Sequence, residues 1–309
     1  MLNKTKAQSD LLFLGTLMAV ATLTIFVHGT LFNFLRPFLF NFFYCPTGLT
    51  PAHEFDQKYY LAHIAPTVVQ GAPHIFSLDT FYYFGWSGAL SARERKKVAH
   101  QLYHTIIKLK EQYKATAGEE PCIRLIGHSH GGNIALNIAQ IADKHKECSL
   151  TIEQLILLAT PVQKETAPLV KHERFKQIYS FYSSADFVQR LDPQGLSNFG
   201  RLLTNKGLAD ALDNIDRVGP LFSERLFKPH PRLIQIKTRV LDKSLSHGDF
   251  LRLNFFTHLP KVLEWLETHP QKEAWTRKKY IDLELSVLKW HTTQTACPSY
   301  PYAQTMLSA

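Results

Sequence analysis

"IRLIGHSHGGNIALNIAQIA", residues 123–142, joins an apolar run to an amphipathic one across a cluster of glycines and histidines that surrounds a single serine. The apolar run reads as a buried strand and the segment from Gly131 as a helix. Gly127-His128-Ser129-His130-Gly131 therefore sits where a strand ends and a helix begins, and it has the form G-x-S-x-G. In that setting small residues have a physical role. A sharp turn that strains the serine backbone brings strand and helix so close that side chains at the flanking positions would collide. Ser129 would then project above the sheet, with the positive end of the helix beneath it. The plainer alternative is a serine that caps the helix, with Gly131 and Gly132 in a tight turn.

Outward from this point the chain alternates strands and helices, the pattern of a mostly parallel sheet with helices on both faces. "TLTIFV" (22–27) reads as the first core strand and ends at His28-Gly29. Residues 73–88 supply another extended segment. A helix follows over 91–113, with Ser91 as N-cap and Val98, Leu102, Ile106 and Leu109 on one stripe. After the elbow, 153–161, 175–183 and 232–241 read as strands. The closing helix is expected at 259–269, with Pro260 in its first turn. Gly- and Pro-containing residues 187–231 form a candidate lid or insertion in a domain spanning 22–269, and 270–309 is expected to pack peripherally.

Composition narrows the classes. Of 309 residues, 45% are hydrophobic, enough for a large packed core, and Lys plus Arg exceed Asp plus Glu by 35 to 26, a formal charge of +9. The basic residues are scattered and no nucleic-acid-binding motif accompanies them, so a nucleic-acid partner is not expected. Cys45, Cys122, Cys148 and Cys297 lack zinc-ligand spacing. Cys122 reads as a core residue, and an exported protein would leave room for one disulfide among the others. Residues 1–21 carry Lys4, Lys6, an apolar stretch and Ala19-Val20-Ala21, the outline of a signal peptide. A plain N-terminal helix reads equally well, so export or membrane association stands beside a cytoplasmic location.

A serine hydroxyl needs a base to take its proton and a carboxylate to orient that base. Asp186, just past a strand end, is the first choice for the acid, ahead of Asp192 and Asp242. His247 follows the last strand and is the first choice for the base, with His258 second. His128 and His130 lie too near Ser129 in sequence to serve easily. An oxyanion needs donors. The His130 amide is one, and the loop after His28-Gly29 offers the Thr30 or Leu31 amide as another. No metal or organic cofactor is called for.

Taken together, "FVHGT" (26–30), "YFGWSG" (83–88), "LIGHSHGGN" (125–133), "SSADF" (183–187) and "LSHGDF" (245–250) resemble the serine esterases and lipases of the α/β-hydrolase superfamily, over roughly residues 22–268. The resemblance implies Ser129 as nucleophile, Asp186 as acid, His247 as base, and the Thr30 and His130 amides as the oxyanion hole. Two leading strands usual in the superfamily are absent or reduced. The Phe-rich stretch 31–44 suits an acyl pocket or a membrane surface, and equally plain core packing, so a lipid-like ester is the expected substrate class. An amidase or peptidase would use the same triad, and a binding protein could keep the fold without a working one. Oligomeric state does not follow from the sequence.

Overall fold

A computed structural model describes residues 20–30, 44–145, 150–191, 224–285, 290–292 and 295–296. In chain order the main elements are β1 (Thr22–Val27), β2 (Gly48–Pro51), α1 (Ile64–Gly71), β3 (Phe81–Gly85), α2 (Ala92–Ala117), β4 (Cys122–His128), α3 (His130–Ala142), β5 (Ile152–Leu158), β6 (Phe175–Tyr182) and α4 (Phe187–Leu191). Then follow β7 (Leu233–Val240), β8 (Lys243–Ser244), α5 (Leu253–Thr268), α6 (Lys272–Thr276), β9 (Ile281–Leu285), β10 (Trp290–Thr292) and β11 (Thr295–Ala296). One sheet runs in the order β11-β10-β9-β7-β6-β5-β4-β1-β3-β2, with β8 paired to β7. From β3 through β9 every neighbouring pair on this path is parallel; β2, β8, β10 and β11 run antiparallel to their partners.

Alternation along each strand splits the core into two layers. Leu23, Ile25 and Val27 of β1, with Leu155 and Leu157 of β5, face α2 and α3. Phe26, Ile156 and Leu158 face the opposite layer, built from α1 and α5. Strands buried on both faces read as near-continuous apolar runs, and that is how 22–27 and 152–158 look in the sequence. This is the mostly parallel sheet with helices on both faces that the alternating pattern predicts.

Ser91 caps α2 as expected, its Oγ accepting from the Glu94 amide at 3.2 Å. The closing helix departs from expectation. It begins at Leu253, six residues earlier than read, so Pro260 lies in its interior rather than in its first turn. Phe255, Phe256, Leu259, Val262 and Leu263 bury one continuous face across the proline. That burial outweighs the backbone hydrogen bond the proline lacks. The sequence beyond 270 also needs correction. Trp275 of α6 is 2% exposed, and β9 joins the sheet parallel to β7, so residues 272–285 are integral rather than peripheral. The extended segment read at 73–88 narrows to the five residues of β3.

Cys45 is a buried free thiol, pushed up to about 12 by burial, and Cys122 is free and half-buried rather than core. Cys148 and Cys297 fall outside the described residues, as do Leu31, Asp192, residues 1–19, 31–43 and 192–223, and with them most of the stretch with a signal-peptide outline, of the Phe-rich stretch and of the candidate lid. Among the described residues no helix is long and apolar enough to cross a membrane.

Candidate active site

Ser129 follows β4 and precedes α3, in the left-handed region at φ 51°, ψ −130°. Its side chain makes no capping hydrogen bond, which removes the reading of Ser129 as a helix cap. The strain is held by close packing on both sides. A Cβ on Gly127 would lie 2.5 Å from the Gly132 Cα, and one on Gly131 would lie 2.2 Å from the Val27 carbonyl oxygen. Neither position admits a side chain, so the glycines serve as spacers that let β4, α3 and β1 meet. The Ser129 amide donates to the Leu158 carbonyl at 2.8 Å, tying the turn to β5.

Because β1, β4, β6 and β7 are parallel, their carboxyl ends share one edge of the sheet, where the chain switches between faces and sites tend to form. His28-Gly29 follows β1, Ser129 follows β4 and Asp186 follows β6. His247 arrives less directly. Leu241 and Asp242, at φ 49° and 61°, make a two-residue hairpin from β7 into β8. Asp242 thus serves as a turn residue, with its amide donating to Glu284, and Asp186 is the carboxylate that meets a histidine. After β8, Asp249 Oδ2 accepts from both the Ser246 amide at 2.8 Å and the Ser246 hydroxyl at 2.7 Å, closing a short turn that begins at His247.

Asp186 is fully buried, and its Oδ2 lies 2.8 Å from His247 Nδ1. The other carboxylate oxygen accepts from the Gln189 amide at 3.0 Å, and the Asp186 carbonyl accepts from both arms of Arg225, at 2.8 and 3.2 Å. A carboxylate can only accept, so His247 Nδ1 donates this bond and Nε2 is the ring nitrogen turned away from Asp186. Ser129 Oγ forms no hydrogen bond among the described residues, so the carboxylate–imidazole half of the pairing is closed and the serine half open. His258 lies within α5 instead, and burial followed by the charge of Lys261 holds its imidazole below the usual value.

Two more histidines frame His247. His128 Nε2 donates to the His247 carbonyl at 3.3 Å, and the two rings lie 5.0 Å apart. Burial first, and then the neighbouring His247, holds the His128 imidazole well below its ordinary value, so it is neutral. His130 is buried in the first turn of α3, its ring 3.3 Å from the Asn133 amide nitrogen. Its own amide lies where a helix has no internal acceptor to offer.

His28 and Trp86, from two separate stretches of the sequence, form a pair. Their rings stack at 5.8 Å, and the Trp86 indole N–H donates to the His28 carbonyl at 2.8 Å. The Trp86 amide donates to His28 Nε2 at 3.0 Å, while Nδ1 donates to the Gly29 carbonyl at 2.7 Å. Both ring nitrogens are thus engaged. Burial lowers the imidazole to about 4, partly opposed by these backbone bonds, so His28 is a neutral strut and not a proton carrier. It holds Gly29 where an added Cβ would stand 2.7 Å from the Ser129 Cβ. Next to it, Thr30 Oγ1 is buried and has no hydrogen-bond partner among the described residues. Near the start of α2, Arg93 is exposed and Arg95 is buried, donating to Gln163 at 2.7 Å.

A profile of the PGAP1-like alpha/beta domain matches residues 57–216, just over half of the chain. The chain belongs to the PGAP1-like alpha/beta domain family. The matched span holds Ser129 and Asp186 but begins after His28–Thr30 and ends before His247. No curated protein matches the chain. Among solved structures it is similar to an esterase from the archaeon Pyrobaculum calidifontis, 11% identical with a TM-score of 0.33, covering 86% of this chain and 67% of that one. It is also similar to the phospholipase PlaB of Legionella pneumophila, 13% identical with a TM-score of 0.33, covering 72% of this chain and 40% of that one. An α/β-hydrolase superfamily protein from Enterococcus faecalis is 12% identical with a TM-score of 0.28, covering 86% and 80%.

Proposed function

We propose that the protein is a serine hydrolase that cleaves carboxylic esters through an acyl-enzyme on Ser129. The observation that carries this reading is the 2.8 Å contact of Asp186 with His247 Nδ1. It occurs on the sheet edge where Ser129 stands in a strained left-handed turn. His247 Nε2 takes the Ser129 proton as Oγ attacks the ester carbonyl carbon, and the carbonyl π pair moves onto oxygen. The tetrahedral species collapses, breaking the bond to the alcohol, which leaves with the proton from Nε2. A water then gives a proton to the same nitrogen and attacks the acyl carbon, and Ser129 regains its hydrogen as the acid departs.

The developing oxyanion is met by the His130 amide and the Thr30 amide, each worth about 2.7–4 kcal/mol by analogy with single-donor removals elsewhere. The Thr30 hydroxyl, buried and without a partner among the described residues, adds a further donor at that loop. Lipid-like esters are the preferred class, a choice motivated by the Phe-rich sequence 31–44. A fluorophosphonate probe tests the reading. Labelling that Ser129→Ala abolishes is expected, whereas labelling that survives this change, or none in the native protein, refutes it. Nitrophenyl esters of increasing chain length test the substrate class, with long acyl chains expected to give the higher kcat/KM.

A further inference from the structure

His100, His104 and His145 lie on the helix layer, well away from the sheet edge that holds Ser129. We propose that these three side chains bind a divalent transition-metal ion of the zinc type. Their candidate ligand nitrogens all fall within 4.8 Å of one another. His100 and His104 are four residues apart on α2, which places them one turn above the other on a single face. His145 comes from the neighbouring element, three residues past the end of α3, where its amide donates to the Ala142 carbonyl at 3.2 Å. The His145 ring stacks on Tyr103 at 5.1 Å and meets the His104 ring edge to face at 5.2 Å.

The donor set selects the class of ion. Three imidazoles without a carboxylate do not suit calcium or magnesium, which require oxygen ligands. Borderline ions such as Zn²⁺ and Cu²⁺ take imidazole readily. A tetrahedral centre with zinc–nitrogen bonds of about 2.0–2.1 Å needs ligand atoms roughly 3.4 Å apart. Rotations about the side-chain bonds, simplest for the exposed His104, close the remaining gap. The fourth position is left for water. Asp143 is no competitor, because His172 and Arg174 already occupy its two oxygens at 2.7 and 2.9 Å.

Charge acts in both directions. Lys144 opposes a cation; after burial it is the next cause, ahead of the other two imidazoles, that holds His100 below its ordinary value. The carbonyl end of α3 carries partial negative charge and favours one. With a net charge of +9 the protein does not gather cations generally, so binding here rests on ligation. Its effect would be to tie α2 to α3 at the end of the elbow helix opposite Ser129, about 20 Å away along its axis.

The full chain, stripped with a chelator, is titrated with Zn²⁺ against a chromophoric chelator. One equivalent binding in the micromolar range or tighter is expected, together with a rise in thermal midpoint. His104→Ala and His100→Ala should each weaken binding at least tenfold and abolish the rise, while His53→Ala should do neither. Unchanged binding in both variants, absence of an equivalent tighter than 100 µM, or an equivalent lost with His247→Ala instead would each overturn the proposal.

Discussion

The Asp186 carboxylate approaches His247 Nδ1 to 2.8 Å while contributing no exposed surface of its own. A fully buried carboxylate this close to an imidazole both fixes its tautomer and stabilises the imidazolium formed in each proton transfer. Asp186→Asn replaces an acceptor oxygen by an amide that can donate to Nδ1 and invert the tautomer. The expected result is a fall in kcat of about 10⁴-fold, by analogy with the same change in triads of this kind. Circular dichroism should be unchanged, so that the loss is chemical.

The two histidines left open by chain order should separate cleanly. His247→Ala should abolish ester turnover, whereas His258→Ala, altering a residue inside α5, should leave kcat within about threefold of native because no proton passes through it. Steady-state kinetics on one nitrophenyl ester decides between them, and the opposite pattern would exchange their roles.

Gly131→Ala should be costly for a purely steric reason. Its Cβ would stand 2.2 Å from the Val27 carbonyl oxygen, which belongs to the central strand β1 and cannot yield. A destabilisation of about 1–3 kcal/mol, the range for overpacking, is expected in urea unfolding. A native-like midpoint would show that the elbow can relax.

Trp86→Phe keeps an aromatic ring against His28 but removes the indole donor to the His28 carbonyl. Stability should fall by about 1 kcal/mol, the usual net worth of one such bond, and kcat should fall while KM changes little. The loosened turn carries the Thr30 amide, a proposed oxyanion donor. A change confined to KM would contradict a role in the oxyanion loop.

Acid sensitivity follows from His28. Its folded value, about 4, lies below the model-peptide value of 6.5, so the unfolded chain binds the proton more readily. The corresponding stability is complete above pH 6.5 and is lost as pH falls from 6.5 to 4. The loss amounts to about 3 kcal/mol at the lower end. Buried His128, also lowered, acts in the same direction. Urea unfolding between pH 7 and 4 should show a declining midpoint, and His28→Asn should flatten it.

Much of this arrangement was legible before any coordinates. β1 coincides with "TLTIFV", and the elbow was readable because a β-branched or aliphatic run followed by G-x-S-x-G has few other uses. Elements failed where tertiary contacts override local pattern. α5 extends back across Pro260 because its buried phenylalanines continue the apolar face, and β9 hides in "IDLEL", an alternating segment too short and too acidic to stand out. Both histidines lie after the last strand read, and the sequence ranked His247 first only by its nearness to that strand. Only the hairpin at Leu241-Asp242 and the Ser246–Asp249 turn bring one of them back to Asp186. The role of Trp86 was not readable either, because nothing in its own neighbourhood reveals a partner 58 positions earlier.

The fork of Arg225 on the Asp186 carbonyl has a further meaning. Glu224 beside it exchanges backbone hydrogen bonds with Val162 in both directions, at 2.8 and 3.0 Å. The chain therefore leaves the acid loop after Leu191 and is fastened back onto it by the time it reaches Arg225. Loop-closure cost grows only slowly with length once both ends are pinned. Both ends of residues 192–223 are thus pinned beside the Asp186 carbonyl, so a change in the length of that stretch is expected to leave the Asp186–His247 contact in place.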